Sequence, residues 1–303
     1  MRKTIATLSI CLGVILGFVG HFPDGKSHIV FCDVGQGDAI LIWEGNHQLL
    51  IDAGPDDKVL ECLEKYIPWW DNQLEVVVAT HPDTDHVGGL EPVFRQFAVN
   101  YLIMNGDTKQ TSVFRRFQTL IQTKEYSPKQ LIIGGKGLQF ELSLNISIKI
   151  LSPLVDLSRS PPQNTPFSET QLLDVLPNIE QKDEQQNNRS IVILLTVGQT
   201  KSLMMGDIEA SGETALMVEG LIPNVNILKV AHHGSKSSTS PSFLSLARPE
   251  ISVLSLGENN PYGHPSDRVV SDLGVFGSKI LRTDQMGDIH LVIDGQQIRL
   301  VND

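Results

Sequence analysis

The 303-residue chain is short of positive charge: 24 Lys and Arg stand against 35 Asp and Glu, a formal net charge of −11. Phosphate backbones reward clustered Lys and Arg, so this deficit excludes a broad duplex-wrapping surface and leaves only local phosphate contacts. Cysteine is scarce as well. Cys11, Cys32 and Cys62 form neither a disulfide scaffold nor a Cys-x-x-Cys metal site, and Cys32 and Cys62 read as small buried hydrophobes rather than as a bridge. No internal repeat is visible. Asp33-Val34-Gly35-Gln36-Gly37-Asp38-Ala39 lies between two strand patterns and opens no helix, so the dinucleotide-binding fingerprint does not apply. Gly35 and Gly37 read as turn residues and Asp38 as a bracing carboxylate at the edge of a site. With 41% hydrophobic and 19% charged residues, disorder is excluded and a sizeable core is expected.

Arg2 and Lys3 precede a charge-free run from Thr4 to Gly20. Its length is close to the lower limit of about 17 residues for a spanning helix, and no Ala-x-Ala cleavage pattern follows. Residues 1–23 are therefore expected as an export signal retained as a membrane anchor, ahead of a cleaved signal peptide. Positive charge before the run keeps that end in the cytoplasm. Residues 24–303 are then an extracytoplasmic domain, secreted, periplasmic or held at the membrane by the N-terminal segment.

Apolar runs at 28–32, 39–43 and 48–51 predict three short strands, and a helical period at 57–67 leads to a Val-rich strand at 74–80. Alternation of helix and strand continues to 151 and resumes from 191 to the C-terminus. A meander that becomes β/α alternation, twice over, predicts an α/β fold with two sheets packed face to face and helices outside. Residues 155–187, rich in Pro, Gln and Asn with six acidic and two basic residues, read as a flexible acidic insertion. Trp69 and Trp70, after Pro68, read as the cap of a core edge ahead of a base-stacking platform.

The strongest chemical signal is Thr80-His81-Pro82-Asp83-Thr84-Asp85-His86-Val87-Gly88-Gly89, between the Val-rich strand and a helix. Four ligand-type side chains within six residues converge only where the backbone turns sharply, and imidazole with carboxylate suits Zn, Mn or Fe. Asp52, Asp207, His232, His233 and His264 also stand at or just beyond strand ends, where loops shape sites.

In order along the chain, DVGQGDA at 33–39, Ile51-Asp52-Ala53-Gly54, HPDTDHVGG at 81–89, Asn187-Asn188-Arg189-Ser190, Met205-Gly206-Asp207, AHHGS at 231–235 and Tyr262-Gly263-His264-Pro265-Ser266 resemble the metallo-β-lactamase superfamily, in its ComEC-like branch, the extracytoplasmic domain of competence DNA-uptake channels. The resemblance covers nearly all of residues 28–303 and implies an αββα sandwich of two mixed sheets. It also implies two divalent metal ions, Zn or Mn: one on His81 and Asp83, the other on Asp85, His86 and His233, with Asp207 bridging. Asp83 stands where the superfamily has a second His, and no His occurs near Asn188 to complete the first site, which shifts preference from Zn toward Mn or Mg, or leaves the first position weakly occupied. Asp52, Asp38 and Asn188 are expected to brace the ligands. His264 and His232 are expected to meet the substrate or protonate the leaving oxygen, with Asp85 part of the catalytic set.

The resemblance further implies a hydrolase, a phosphodiesterase or nuclease acting on DNA outside the cytoplasm by attack of a metal-bridging hydroxide. Its partners are DNA or another phosphodiester, a membrane channel, and the membrane through the N-terminal segment. Alternatives are hydrolysis of another ester, such as a cell-wall phosphodiester or a lactone, and a non-catalytic DNA- or metal-binding partner of a competence channel. If DNA is the substrate, Arg189, Lys229, Lys236, Arg268 or Arg282 should line a groove to the metal loop.

Overall fold

The computed structural model describes residues 24–154, 186–295 and 297–301. The expected anchor and the insertion, apart from Gln186 and Asn187, lie outside the described residues. Among the described residues no helix is long and apolar enough to cross a membrane.

The described residues form two mixed sheets. The first contains β1 (Ser27–Phe31), β2 (Ile40–Glu44), β3 (His47–Ile51), β4 (Gln73–Ala79), β5 (Ala98–Met104) and β6 (Gln130–Ile133), extended at its other edge by β14 (Ile289–Asp294) and β15 (Gln297–Val301), in the order β15-β14-β1-β2-β3-β4-β5-β6. The second runs β13 (Lys279–Arg282), β12 (Ile251–Leu254), β11 (Ile227–Lys229), β10 (Thr200–Met204), β9 (Val192–Val197), β8 (Ile146–Ser152) and β7 (Gln139–Glu141). The αββα sandwich expected from the sequence is present. Helices α1 (Lys58–Tyr66), α2 (Thr84–Val87), α3 (Leu90–Gln96) and α4 (Ser112–Ile121) belong to the first sheet; α5 (Ala210–Val218), α6 (Pro241–Ala247), α7 (Asp267–Val275) and α8 (Thr283–Met286) to the second.

Strand period sorts the side chains into layers. Ile29, Phe31, Ile40, Ile42, Leu49, Ile51, Val76 and Val78 meet Ile148, Ile150, Ile193, Leu195 and Val253 between the sheets. Their neighbours Val30, Leu41, Leu50 and Val77 turn outward beneath the helices, against Leu63, Phe94, Phe114 and Phe117. Because both faces of these strands are covered, their sequences are continuous apolar runs rather than alternations.

β3, β4, β5 and β6 are parallel to one another, as are β10 through β13. The loops that follow β3, β4, β10 and β11 therefore open at one pole, and these carry Asp52, His81 to His86, Asp207 and the adjacent His232 and His233.

Two expectations are corrected. Cys32 and Cys62 are bridged, with Cα atoms 5.9 Å apart. β1 and the buried face of α1 bring them within disulfide reach, and a separation of 30 residues gave no sign of it. A bridge closing a loop of this size contributes about 3–4 kcal/mol in the chain-entropy account. Replacing both cysteines by Ser should therefore lower the denaturant midpoint, and unchanged unfolding would show that the bridge constrains nothing. Trp69 does not cap the core: it is 81% exposed, edge-on to Trp70 with ring centroids 5.5 Å apart. The pair lies just before β4, at the pole opposite the ligand loops, because the chain turns out at Pro68 after α1.

Candidate metal centre

The site starts from Asp52, the first residue beyond β3. Its backbone is left-handed (φ 57°), a conformation costing a non-glycine residue about 1–3 kcal/mol, and this aims the carboxylate into the loop after β4. There Oδ1 accepts from the Thr80 amide at 2.8 Å, and Oδ2 accepts from the Thr80 hydroxyl at 2.7 Å and from His86 Nδ1 at 2.8 Å. With its proton given to Asp52, the Thr80 hydroxyl accepts from His81 Nδ1 at 3.0 Å. One buried carboxylate thus sets the tautomers of two histidines and leaves both Nε2 lone pairs pointing away from it, the carboxylate–imidazole device of metal sites.

His233 is set from the second sheet. Its Nδ1 donates to the Ser255 carbonyl at 2.8 Å and lies 3.3 Å from Asp38 Oδ1. Asp38 is fixed by Lys229, whose Nζ lies 2.7 Å from Oδ2, and both side chains are buried. Burial opposes the charge on Asp38, but Lys229 and then His233 outweigh it and hold the carboxyl below the usual carboxylate range. His232, His233 and Gly234 are consecutive left-handed residues with φ 49°, 53° and 81°. A side chain at Gly234 would meet Leu254 at 2.7 Å and Pro265 at 2.8 Å. Gly37 has a similar constraint: a Cβ there would lie 2.2 Å from the Asp85 carbonyl, so only glycine lets the 33–39 loop brace the ligand loop.

These supports deliver a cluster. Ligand atoms of Asp85, His86, Asp207 and His233 all lie within 4.8 Å of one another. Asp207 is the centre: Oδ1 lies 3.2 Å from His86 Nε2, while Oδ2 lies 3.5 Å from His233 Nε2, 3.7 Å from His232 Nε2 and 3.9 Å from His81 Nε2. The Nε2 atoms of His81, His86 and His233 and Oδ1 of Asp207 are buried without hydrogen-bond partners. Lone pairs converging on a buried carboxylate are unfavourable unless protons or a cation lie between them. The His/Asp cluster is therefore able to bind metal. A second grouping, Asp38, Asp52 and His86, is occupied by the orienting contacts already described.

Other expected residues stand apart from the cluster. Asp83 pairs with Lys109 at 2.8 Å, and its carboxylate does not join the group. His264 is half-buried, its ring 5.9 Å from that of His232. Asn188 faces backbone instead of a ring nitrogen: its Oδ1 accepts from the Glu209 and Gly212 amides at 3.0 and 3.1 Å, closing the N-terminus of α5. The expected cationic groove is not formed by the residues named for it. Lys229 is wholly buried, Arg189 pairs with Asp107, Arg282 with Asp284, and Arg268 with Asp272 and nearby carbonyls; Lys236 alone of the five is exposed without such a pairing among the described contacts. Glu209, 3.5 Å from His232 Nδ1, is a site-edge residue the sequence pattern did not reveal.

Without metal, protons serve the cluster. Burial opposes charge on His86 and His233, but Asp207 outweighs it and raises both well above 6.5. Burial likewise opposes the Asp207 carboxylate, which His86 and His233 hold well below 3.8. Raised histidines contribute stability that is full below pH 6.5 and lost as pH rises through their folded values. The lowered Asp207 contributes above 3.8 and loses that contribution as pH falls. Metal-free protein should accordingly be most stable between these limits, while metal, competing with protons for Nε2, binds more tightly as pH rises. Melting curves in chelator and in Mn or Zn should diverge from pH 6 to 9; parallel curves would contradict the cluster's role.

Residues 32–258 match the domain of the metallo-beta-lactamase superfamily. The chain belongs to that superfamily. Among curated proteins it is 26% identical over 320 residues to ComE operon protein 3 of Bacillus subtilis, covering 95% of this chain and 36% of that protein. It is 25% identical over 283 residues to Competence protein ComA of Neisseria gonorrhoeae, covering 90% and 34%. These are competence proteins of the ComEC-like branch, and the chain spans about a third of their length. Among solved structures, the metallo-beta-lactamase fold protein YhfI from Bacillus subtilis matches with TM-score 0.50 and 13% identity, over 84% of this chain and 95% of that one, a likeness of fold.

Proposed function

We propose that this chain is a metal-dependent phosphodiester hydrolase acting on DNA outside the cytoplasm. The observation that carries the reading is the set of buried, unpartnered Nε2 atoms arranged around Asp207. Asp85, His86, Asp207 and His233 would hold one divalent ion and His81, Asp207 and His232 a second, weaker one, with Asp83 engaged by Lys109. Bound there, such ions lower the pKa of water to supply a nucleophile at neutral pH and neutralise charge building on a phosphoryl oxygen. The chain's own residues orient and exclude: Asp52 and Thr80 fix His81 and His86, while Ser255 and Asp38 fix His233. Burial, reinforced by His233 and His232, lowers His264, which then meets a phosphoryl oxygen as a neutral N–H donor.

The competence relatives support DNA as substrate, with a membrane channel as partner. The Cys32–Cys62 bridge supports an oxidising compartment, in keeping with residues 1–23 as an anchor. The full chain should carry divalent metal by elemental analysis and cleave single-stranded or plasmid DNA with Mn or Zn, whereas Asp85→Ala should not. Equal rates in the two proteins would defeat the metallohydrolase reading. Because Arg189, Arg268 and Arg282 are engaged within the chain, a second ester class is the alternative; hydrolysis of a small phosphodiester without DNA cleavage in any metal would favour it.

A further inference from the structure

The acid-rich chain contains a short stretch of opposite character on its surface. Between Thr108 and Lys124 there are four basic residues, Lys109, Arg115, Arg116 and Lys124, and no acidic one. Most of this stretch is α4, which packs beside α3 on the outer face of the first sheet, and between the two helices runs an open cleft of about 630 Å³. Arg95, Arg115 and Arg116 line it against a single carboxylate, Glu91, which takes both Arg95 and Arg116 at 3.0 and 3.2 Å. Among the described residues the lining therefore carries two more positive than negative charges, and all three arginines are exposed.

Position links the cleft to the metal centre. Lys109, just ahead of α4, holds Asp83 in the ligand loop, so the N-terminus of α4 stands at the rim of the site. From there the ten residues of α4 run about 15 Å away from it, long enough to follow more than one nucleotide of an extended single strand. At the far end the Arg95 guanidinium lies over the ring of Tyr126, 5.3 Å from its centroid. An arginine layered on an aromatic ring offers a flat surface on which unpaired bases stack irrespective of sequence. Duplex DNA would withhold its bases from such a surface.

We infer that the cleft between α3 and α4 is a single-stranded DNA track that leads the strand past Lys109 to the metal centre. The inference deepens the proposed function and rests on it for the direction of travel, whereas binding itself does not depend on turnover. The test uses the full chain and a fluorescent oligothymidylate. Arg115→Gln with Arg116→Gln should weaken binding at least ~10-fold near 0.1 M salt and make the log–log salt dependence shallower by about 1.4, twice the ~0.7 per single-strand phosphate contact. Arg115→Lys with Arg116→Lys should retain most of the binding. Hydrolysis of bis(p-nitrophenyl) phosphate, too small to reach the cleft, should be unchanged in both variants. Unaltered oligonucleotide affinity in the double Gln variant overturns the track while leaving the hydrolase reading intact. Arg-dependent binding by a metal-loaded protein that hydrolyses neither DNA nor the small diester upholds the track and overturns the hydrolase reading.

Discussion

Asp207→Asn is expected to abolish turnover, by at least ~10³-fold, and to strip the cluster of most of its metal. The carboxylate faces four imidazoles, with His86 3.2 Å from one oxygen and His233, His232 and His81 3.5 to 3.9 Å from the other. An amide of the same shape keeps one acceptor, turns a donor toward the remaining lone pairs and removes the charge. The loss should exceed that at Asp52, which only orients His81 and His86 through their Nδ1 sides; substitutions of such outer partners typically cost 10–100-fold in affinity or activity. Metal content by elemental analysis and the rate on a small phosphodiester measure the two effects side by side. A separate signature lies in the metal-free protein, where Asp207 is the principal group raising His86 and His233. Asp207→Asn should flatten the alkaline decline in stability. Wild-type metal content in this variant would place the metal elsewhere.

Much of this centre is legible in the sequence because its ligands occur where strands end. The HPDTDH segment, Asp207 and the paired histidines each come after an apolar run, and runs buried on both faces are conspicuous in a sequence. The features that stay hidden depend on register across the sandwich. Lys229 sits in Ile227-Leu228-Lys229-Val230 and looks like any strand cation; only the packing of β11 against the 33–39 loop turns it inward to Asp38. Asp83 fits a ligand pattern by spacing, yet its side chain turns toward Lys109, a partner 26 residues away. Cys32 and Cys62 carry no signal because the contact of β1 with α1, not their spacing, brings them together. The arginine-lined cleft is hidden for the opposite reason: net charge averages over the chain and conceals a local excess on α4.

The largest stability effect is expected from that inward-turned lysine. Lys229 and Asp38 form an ion pair at 2.7 Å with side chains 0% and 2% exposed, and the ammonium also donates to the Val230 carbonyl at 3.0 Å. Lys229→Met keeps an apolar stem of similar length but leaves a carboxylate buried with only an imidazole for company, and breaking such a pair costs about 3–5 kcal/mol. For a domain of this size each kcal/mol corresponds to roughly 2–4 °C, so thermal unfolding should fall by roughly 10 °C. Adding Asp38→Asn removes the stranded charge and should restore most of that loss. It should not restore metal binding to the same degree, because the neutral amide no longer draws His233 Nδ1 toward it and the Ser255 carbonyl alone must hold the tautomer. A single variant that melts within a degree or two of the parent would show that Asp38 is neutral in the folded protein. A double variant no more stable than the single would show that the cost lies in the lysine's packing. The predicted split, with stability recovered and affinity not, arises from a geometry in which one buried pair both balances charge beneath the second sheet and aims a ligand at the centre.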